Sequence, residues 1–286
     1  HYTTNPSHIL LEYQGGYAAR TLVGGTPPVA PAGISGLGSS LRIPGRFIPV
    51  AQGFMIYGNS TGGSIVFNNN QRAFIKENHV DSNVLFRTNA VTSAVGLQSS
   101  NREDAVVENT FTKLRLGFLS SNDFHRQLLL GFMNENATSG FDMGYDARQI
   151  DDQPNEMYFI NGSEKLVIQG DGFFNVASVF PIGVKTATEG VIKIALDEVE
   201  QFDQNQPVYL YDDVTQVYHN IKEAPFEINL PAGIFDNRFS LRFATEAALG
   251  IIEETSNNQI TADYTNANAM LTIKNNTLNT KLESVS

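Results

Sequence analysis

Residues 113–118, "KLRLGF", alternate strictly: Leu114, Leu116 and Phe118 fall on one side of an extended chain, Lys113 and Arg115 on the other. Residues 238–243, "RFSLRF", repeat the pattern, with Phe239, Leu241 and Phe243 opposite Arg238, Ser240 and Arg242. A period of two marks half-buried antiparallel strands, and it constrains the fold more than any other feature of this chain. Further strands are expected at "GFMIYG" (53–58), "SIVFN" (64–68), "MYFI" (157–160), "KLVIQG" (165–170), "VIKIAL" (191–196), "PVYLYDD" (207–213) and "FEINL" (226–230). Asn161-Gly162 is the strongest two-residue hairpin signal between them. Leu196, Val199 and Phe202 fall at helical spacing and predict a short helical connector, and Asp236-Asn237 predicts a turn before a last strand starting at Arg238. Many short strands with few helices define an all-β chain built of antiparallel β-sandwich modules, jelly-roll or Ig-like.

The chain of 286 residues suits one large β domain or two ordinary modules. Glycine and proline are densest in residues 14–49, which read as a long irregular loop packed on a domain, or alternatively as a disordered linker. Residues 76–110 are polar and hold few aromatics, as at a module boundary, and a second boundary falls near 245–251. The expected division is therefore 1–110 (the Gly/Pro-rich loop plus a first β module), 111–246 (a second β-sandwich) and 247–286 (an Asn/Thr-rich partial domain with strand-like pieces "QITADYT" and "AMLTIKN"). The start at His1 and the strand-like end before Ser286 lead to the expectation that the chain is part of a longer protein.

The formal net charge is −11, which disfavours nucleic acid as a partner. With no cysteine, the chain has no disulfide, thiolate metal site or cysteine nucleophile. No apolar stretch approaches the length of a membrane-spanning helix.

Candidate chemistry is sparse. The five histidines include no HExxH motif and no pair at metal-ligand spacing, and no GxSxG nucleophile elbow or phosphate-binding loop occurs. The expectation is a chain that is not an enzyme and carries no catalytic residue. "FDMGYDARQIDDQPNE" offers Asp142, Asp146, Asp151, Asp152 and Glu156 as hard oxygen ligands that suit Ca²⁺, the one cofactor the residues suggest, though without the EF-hand pattern; the alternative is a solvated acidic loop. In "LGFLSSNDFHRQLLLGF" (116–132) two Leu-Gly-Phe copies flank "SSND", which reads as a hairpin turn, with His125 and Arg126 at the start of its second strand. Arg115 or Arg126 is expected to pair with an aspartate of the "FDMGYDA" loop, His125 to help anchor that loop, and Arg238 to begin the last strand.

Taken together, "RFIPVAQGFMIYGNSTGGSIVFNNNQRAF" (46–74), "FHRQLLLGF…ATSGFDMGYDA" (124–147), "EKLVIQG" (164–170), "FPIGVK" (180–185) and "VYLYDD…YHNIKEAPFEINLPAGIFDNRFSLRF" (208–243) resemble a stretch found in very large secreted proteins of the Bacteroidota, particularly flavobacteria. There it lies upstream of a C-terminal type IX secretion sorting domain. Residues 249–276 resemble the opening strands of a type A sorting domain, an Ig-like β-sandwich, incomplete here. The resemblance implies export across the outer membrane, engagement of the secretion machinery through the C-terminal domain, and an extracellular or cell-surface location. It implies no catalytic residue. The function expected on this basis is a structural or adhesive β-sandwich region with a glycan or protein partner, self-associating through strand edges in one variant. The alternative is a carbohydrate-binding module or a fragment of a glycan-active enzyme.

Overall fold

A computed structural model describes residues 17–29, 43–45, 47–48, 50, 53–56, 61–74 and 111–246, together with the strands at 2–4, 10–13, 260–265 and 270–275. In chain order the strands are β1 (Tyr2–Thr4), β2 (Leu10–Tyr13), β3 (Ala19–Arg20), β4 (Gly25–Thr26), β5 (Thr112–Leu119), β6 (His125–Phe132), β7 (Ala147–Arg148), β8 (Glu156–Asn161), β9 (Glu164–Asp171), β10 (Val179–Thr186), β11 (Gly190–Glu200), β12 (Tyr209–Asp212), β13 (Val217–Asn220), β14 (Phe226–Leu230), β15 (Gly233–Arg242), β16 (Ile260–Thr265) and β17 (Met270–Asn275). The fold is all-β, and only two short 3₁₀ turns interrupt the described strands.

The chain forms two compact units, His1–Phe243 and Ala244–Ser286. In the second, β16 and β17 pair antiparallel from Ile260↔Asn275 to Thr265↔Met270. In the first, a large sheet runs β13-β12-β15-β10-β8-β9-β6-β5-β11-β14, with β7 added on β9. β9 is its junction. Its first half pairs antiparallel with β8, and its second half pairs parallel with β6, from Leu129↔Ile168 to Phe132↔Asp171. The strands on either side of this junction face each other across the core. Phe132 of β6 meets Phe180 of β10 and Phe243 beyond β15, with ring centroids 5.9 and 5.8 Å apart, and Phe226 of β14 meets Phe239 of β15 at 5.9 Å. This is the sandwich that the alternation predicts.

The alternating residues do what their period requires. Leu114, Leu116, Phe118, Leu128 and Leu130 are all fully buried, each contributing about 1.5–3 kcal/mol by leaving water. "SSND" does form the hairpin turn between β5 and β6, which pair from Thr112↔Phe132 to Leu119↔His125. Ser120 Oγ accepts from Phe124 N at 3.1 Å and fixes the turn. The β8–β9 hairpin closes through Gly162 at φ +59°, a conformation glycine adopts without a Cβ penalty.

Lys113 and Arg115, on the opposite side of β5, are also buried, at 3% and 7% exposure. The opening segment takes part in covering that side: β3 and β4 form a small hairpin, Ala19↔Thr26 and Arg20↔Gly25, whose Val23 joins the core cluster. The segment packs on the sheet, as the loop reading of residues 14–49 expects for the part described.

Four expectations differ from the structure. Residues 53–56 and 61–68 form no strand, because apolar alternation makes a strand only where a ladder partner exists. Residues 196–200 are not helical but continue β11, and Asp236-Asn237 lies inside β15 rather than in a turn. The pairing of β10 with β15 jumps from Ile182↔Phe239 to Val184↔Phe235, so a bulge absorbs the residues that read as a turn. The polar stretch 76–110 lies outside the described residues.

Candidate functional site

The β5–β6 hairpin presents His125 and Arg126 side by side on an extended strand, so their side chains leave on opposite faces. Arg126 is buried at 3% exposure. Its Nε donates to Glu156 Oε2 at 2.8 Å, and its Nη2 donates to Glu156 Oε1 at 2.5 Å and to Asp151 Oδ1 at 3.2 Å. Burial opposes the charge, but the hydrogen bonds and fields of Glu156 and Asp151 outweigh it and hold the Arg126 pKa above its usual value.

His125 Nε2 lies 3.2 Å from Asp197 Oδ2, which also accepts from Gln127 Nε2 at 2.8 Å. Asp197 is the extra residue of a β-bulge, since β5 pairs with Leu196 through Leu116 and with Glu198 through Arg115. Its carboxylate lies over Gly117, where a Cβ would come within 2.1 Å of Oδ1. Burial raises the Asp197 pKa, but the bonds from His125 and Gln127 win and leave it below the usual carboxylate value. Arg115 Nη1 donates to Gly25 O at 2.7 Å and to Gln127 Oε1 at 3.2 Å, and its Nε faces Glu198 at 3.3 Å and Glu200 at 3.5 Å. Arg238 makes a bidentate pair with Asp212, both bonds at 2.9 Å.

These pairings correct the expected partners. Arg126 ties β6 to Asp151 and β8, Arg115 ties β5 to the opening hairpin, and His125 reaches β11. The "FDMGYDA" loop is held by other means. Asp146 Oδ1 accepts from Gly170 N at 2.7 Å, and Oδ2 accepts from Asp142 N at 2.5 Å. Arg148 pairs with Glu164 at 2.6 and 2.9 Å, and its guanidinium stacks 4.1 Å from the Phe141 ring centroid.

The five carboxylates proposed for a cation do not share one partner set. Asp142 Oδ2 accepts from Thr138 N at 2.5 Å and Thr138 Oγ1 at 2.8 Å, and Asp146 accepts the two amides just described. Asp151 and Glu156 take Arg126, and Asp152 takes Lys185 Nζ at 2.7 Å. Among the described residues, no group of three or more His, Asp or Glu is placed to hold a metal ion. The chain divides them because Asp142 and Asp146 belong to the turn that docks on Gly170, whereas Asp151 and Glu156 follow β7 and gather around Arg126.

Beside Arg126 the outer surface of β8, β9 and β10 encloses a hollow of about 300 Å³ whose lining includes Ile150, Asp152, Tyr158, Lys165, Lys185 and Ile234. Tyr158 organises it. Its Oη donates to Asp236 Oδ1 at 2.6 Å and accepts from Lys165 Nζ at 2.7 Å, and the same ammonium sits 4.1 Å from the ring centroid. Burial first, then the Asp236 carboxylate, pushes the Tyr158 pKa up, so the phenol stays neutral and serves as a hydrogen-bonding hub.

A second hollow, of about 590 Å³, is lined by Val199, Gln201, Phe202, Gln204 and Lys222. Lys222 Nζ donates to three backbone carbonyls, Asp203 O and Gln204 O at 2.7 Å and Gln206 O at 3.0 Å, filling with one ammonium a cage of oxygens. At the sheet edge the rings of Tyr211 and Tyr218 meet at 4.6 Å, tilted by 45°, Tyr209 meets Tyr218 at 5.7 Å, and the Arg242 guanidinium lies 4.0 Å from the Tyr211 ring centroid.

A family model described as Domain of unknown function (DUF8693) matches residues 15–243. The chain belongs to this family. The match begins just before the opening hairpin and ends at the last residue of the first compact unit, so the DUF8693 domain includes hairpin and sandwich together. No curated protein and no solved structure matches the chain.

Sequence reasoning missed Asp197, Tyr158, Lys165 and Lys222 in the DUF8693 domain. Asp197 sat inside a stretch read as helical, and nothing local distinguishes the other three from ordinary strand and turn residues. The order of the strands alone brings Tyr158 and Asp236, 78 positions apart, to one hydrogen bond.

Proposed function

We propose that this chain is a non-catalytic β-sandwich segment of a larger protein exported by type IX secretion, with a structural or adhesive role at the cell surface or outside the cell. The supporting observation is how its buried and half-buried cations are used. Arg126, Arg115, Arg238 and Lys222 each fasten a strand to a loop, a hairpin or a neighbouring strand through carboxylates and carbonyls. That pattern suits a load-bearing or presenting unit, in which charge is spent on fixing geometry. The resemblance of residues 249–276 to a sorting domain supports engagement of the secretion machinery by the second unit. The test is surface labelling of intact cells that express the full-length protein, compared with a version ending after Phe243. The reading expects labelling of the first and intracellular retention of the second; equal retention of both overturns it.

A second reading, glycan binding, draws on Tyr209, Tyr218 and Arg242, with buried Tyr211 packed beside them, since half-buried tyrosines such as Tyr209 and Tyr218 combine an apolar ring with a polar edge. A glycan array run with wild type and Tyr218→Ala tests it, and absence of binding by wild type rejects it.

A further inference from the structure

The β3–β4 hairpin is built as a knob for a hole in the sandwich. Gly131 of β6 and Gly170 of β9 are paired in register, and together they leave the sheet bare of side chains at one place. Val23, at the tip of the hairpin and 1% exposed, fills the Gly131 side of that place, and Tyr145, whose Cβ would lie 2.8 Å from a Cβ on Gly170, walls its other side. A Cβ on Gly131 would lie 2.3 Å from Val23 Cγ1, and one on Gly170 would lie 3.1 Å from Val23 Cγ2. Two polar contacts complete the seat: Arg115 Nη1 to Gly25 O at 2.7 Å and Leu22 N to Gly144 O at 2.8 Å.

The hairpin is nevertheless a separate piece. Among the described residues β3 and β4 pair only with each other and not with the large sheet, so the hairpin can leave as a unit without breaking a ladder of that sheet. Residues 75–110 alone, lying between the hairpin and β5, reach about 120 Å if extended, against a radius of gyration of about 17 Å for a domain of this size. Covalent continuity therefore does not dictate which copy's recess receives the hairpin. A second copy carries the same Gly131/Gly170 hole, and every contact made within one chain is available between two.

We propose that the β3–β4 hairpin is an exchangeable strap, and that Val23 of one copy seats in the Gly131/Gly170 recess of a second copy, joining chains of this protein to one another. The contact is heterologous, because knob and hole are different surfaces. It closes into a reciprocal dimer when both copies exchange, and extends into a chain of subunits when they do not. The intramolecular and exchanged forms share the same contacts, so concentration sets their balance. The proposal goes beyond the structural role above and stands independently of export and of glycan binding.

The absence of cysteine makes a direct test available. The Val23 Cβ lies 3.5 Å from the Cβ position on Gly131, within the span a disulfide bridges. Val23→Cys and Gly131→Cys are made separately and together, and folding is checked by circular dichroism. In the Gly131→Cys chain the new side chain also crowds that chain's own Val23, leaving its recess open to another hairpin. The two single variants are mixed under mild oxidation over a range of concentrations, and the bond is mapped by mass spectrometry. The expected result is a covalent species of twice the 31.4 kDa chain, bonded between positions 23 and 131 and increasing with concentration. An intrachain bond in the double variant, with no such species in the mixture, overturns the proposal. So does the absence of a bond in both, because the hairpin is then not seated at all.

Discussion

Arg126 of β6 and Glu156 of β8 form a bidentate ion pair in which the glutamate side chain is fully buried and the arginine nearly so. Two charges in such a place persist only because each satisfies the other, and Gln153 N donates a further bond to Glu156 Oε1 at 3.2 Å. Removing one partner strands the other. Arg126→Ala is expected to cost about 3–5 kcal/mol of unfolding free energy. The double variant Arg126→Met/Glu156→Leu, which removes both charges and keeps the volume, is expected to recover much of that loss. Urea denaturation of the three proteins checks the pair. Equal losses in single and double variants would show that the residues matter for packing rather than as a pair.

Gly117 is required by Asp197. The carboxylate occupies the space above the glycine, and a Cβ there would overlap Oδ1. Gly117→Ala is expected to push Asp197 off His125 and Gln127 and to cost about 1–3 kcal/mol. A carboxylate held below its usual pKa contributes stability above the unfolded value, and that stability is lost as pH falls through the folded value. Displacement removes the contribution, so the Asp197 pKa in the variant rises toward the ordinary range. An NMR titration of the Asp197 carboxyl in both proteins measures this directly, and an unchanged pKa would mean that the bulge accommodates the methyl group.

Alternation made β5 and β14 legible because each keeps one unbroken period of two, whereas β6 and β9 were legible as short apolar runs, Leu128–Leu130 and Leu166–Ile168, bounded by turn signals. The misread segments share a cause. In β11 the bulge at Asp197 inserts one residue, so Leu196 and Val199 pair with Leu116 and Leu114, both on the core side of β5. Two residues three apart then share a face, which in sequence looks like a helix. The bulge in β15 likewise made Asp236 and Asn237 look like a turn. The candidate residues were partly readable for a different reason. His125 and Arg126 could be placed at the start of a strand, but Glu156 is 30 positions away from Arg126, and Asp197 is 70 away from Gln127. Such partners are chosen by the order of strands in the sheet, which no local pattern encodes.

Asp146 links stability to pH in the opposite sense from Asp197. Burial raises its pKa to about 6, with the neighbouring carboxyls of Asp142 and Asp171 adding to the shift, against the bonds from the Asp142 and Gly170 amides. A carboxyl with a raised folded pKa favours the folded state below its unfolded value of 3.8 and loses that advantage as pH rises through about 6. Between pH 4 and 7 this group alone therefore costs up to about 3 kcal/mol as it ionises. Asp146→Asn is expected to flatten that part of the profile. It also loses about 1 kcal/mol at low pH, since one amide group cannot accept from both backbone donors. Melting temperatures of wild type and variant from pH 4 to 8 test the assignment, and parallel curves would contradict it.

Lys222 holds the loop before β12 by directing its three N–H groups at three carbonyls. A tetrahedral ammonium can point at all three at once, whereas a planar guanidinium cannot. Lys222→Met keeps the stem over Phe202, where Nζ now lies 5.1 Å from the ring centroid, and removes only the charged head. It is expected to cost about 1.5–3 kcal/mol, toward the lower end because two of the three bonds are exposed. Lys222→Arg is expected to recover less than half of this. The local signature is faster hydrogen exchange across residues 203–208, including the Gln206 amide that donates to Asp203 O at 3.2 Å. If exchange there is unchanged in Lys222→Met, the loop is held by its own turn and by the Gln206 side chain, whose Nε2 donates to Phe243 O at 2.6 Å. The lysine would then be dispensable to it.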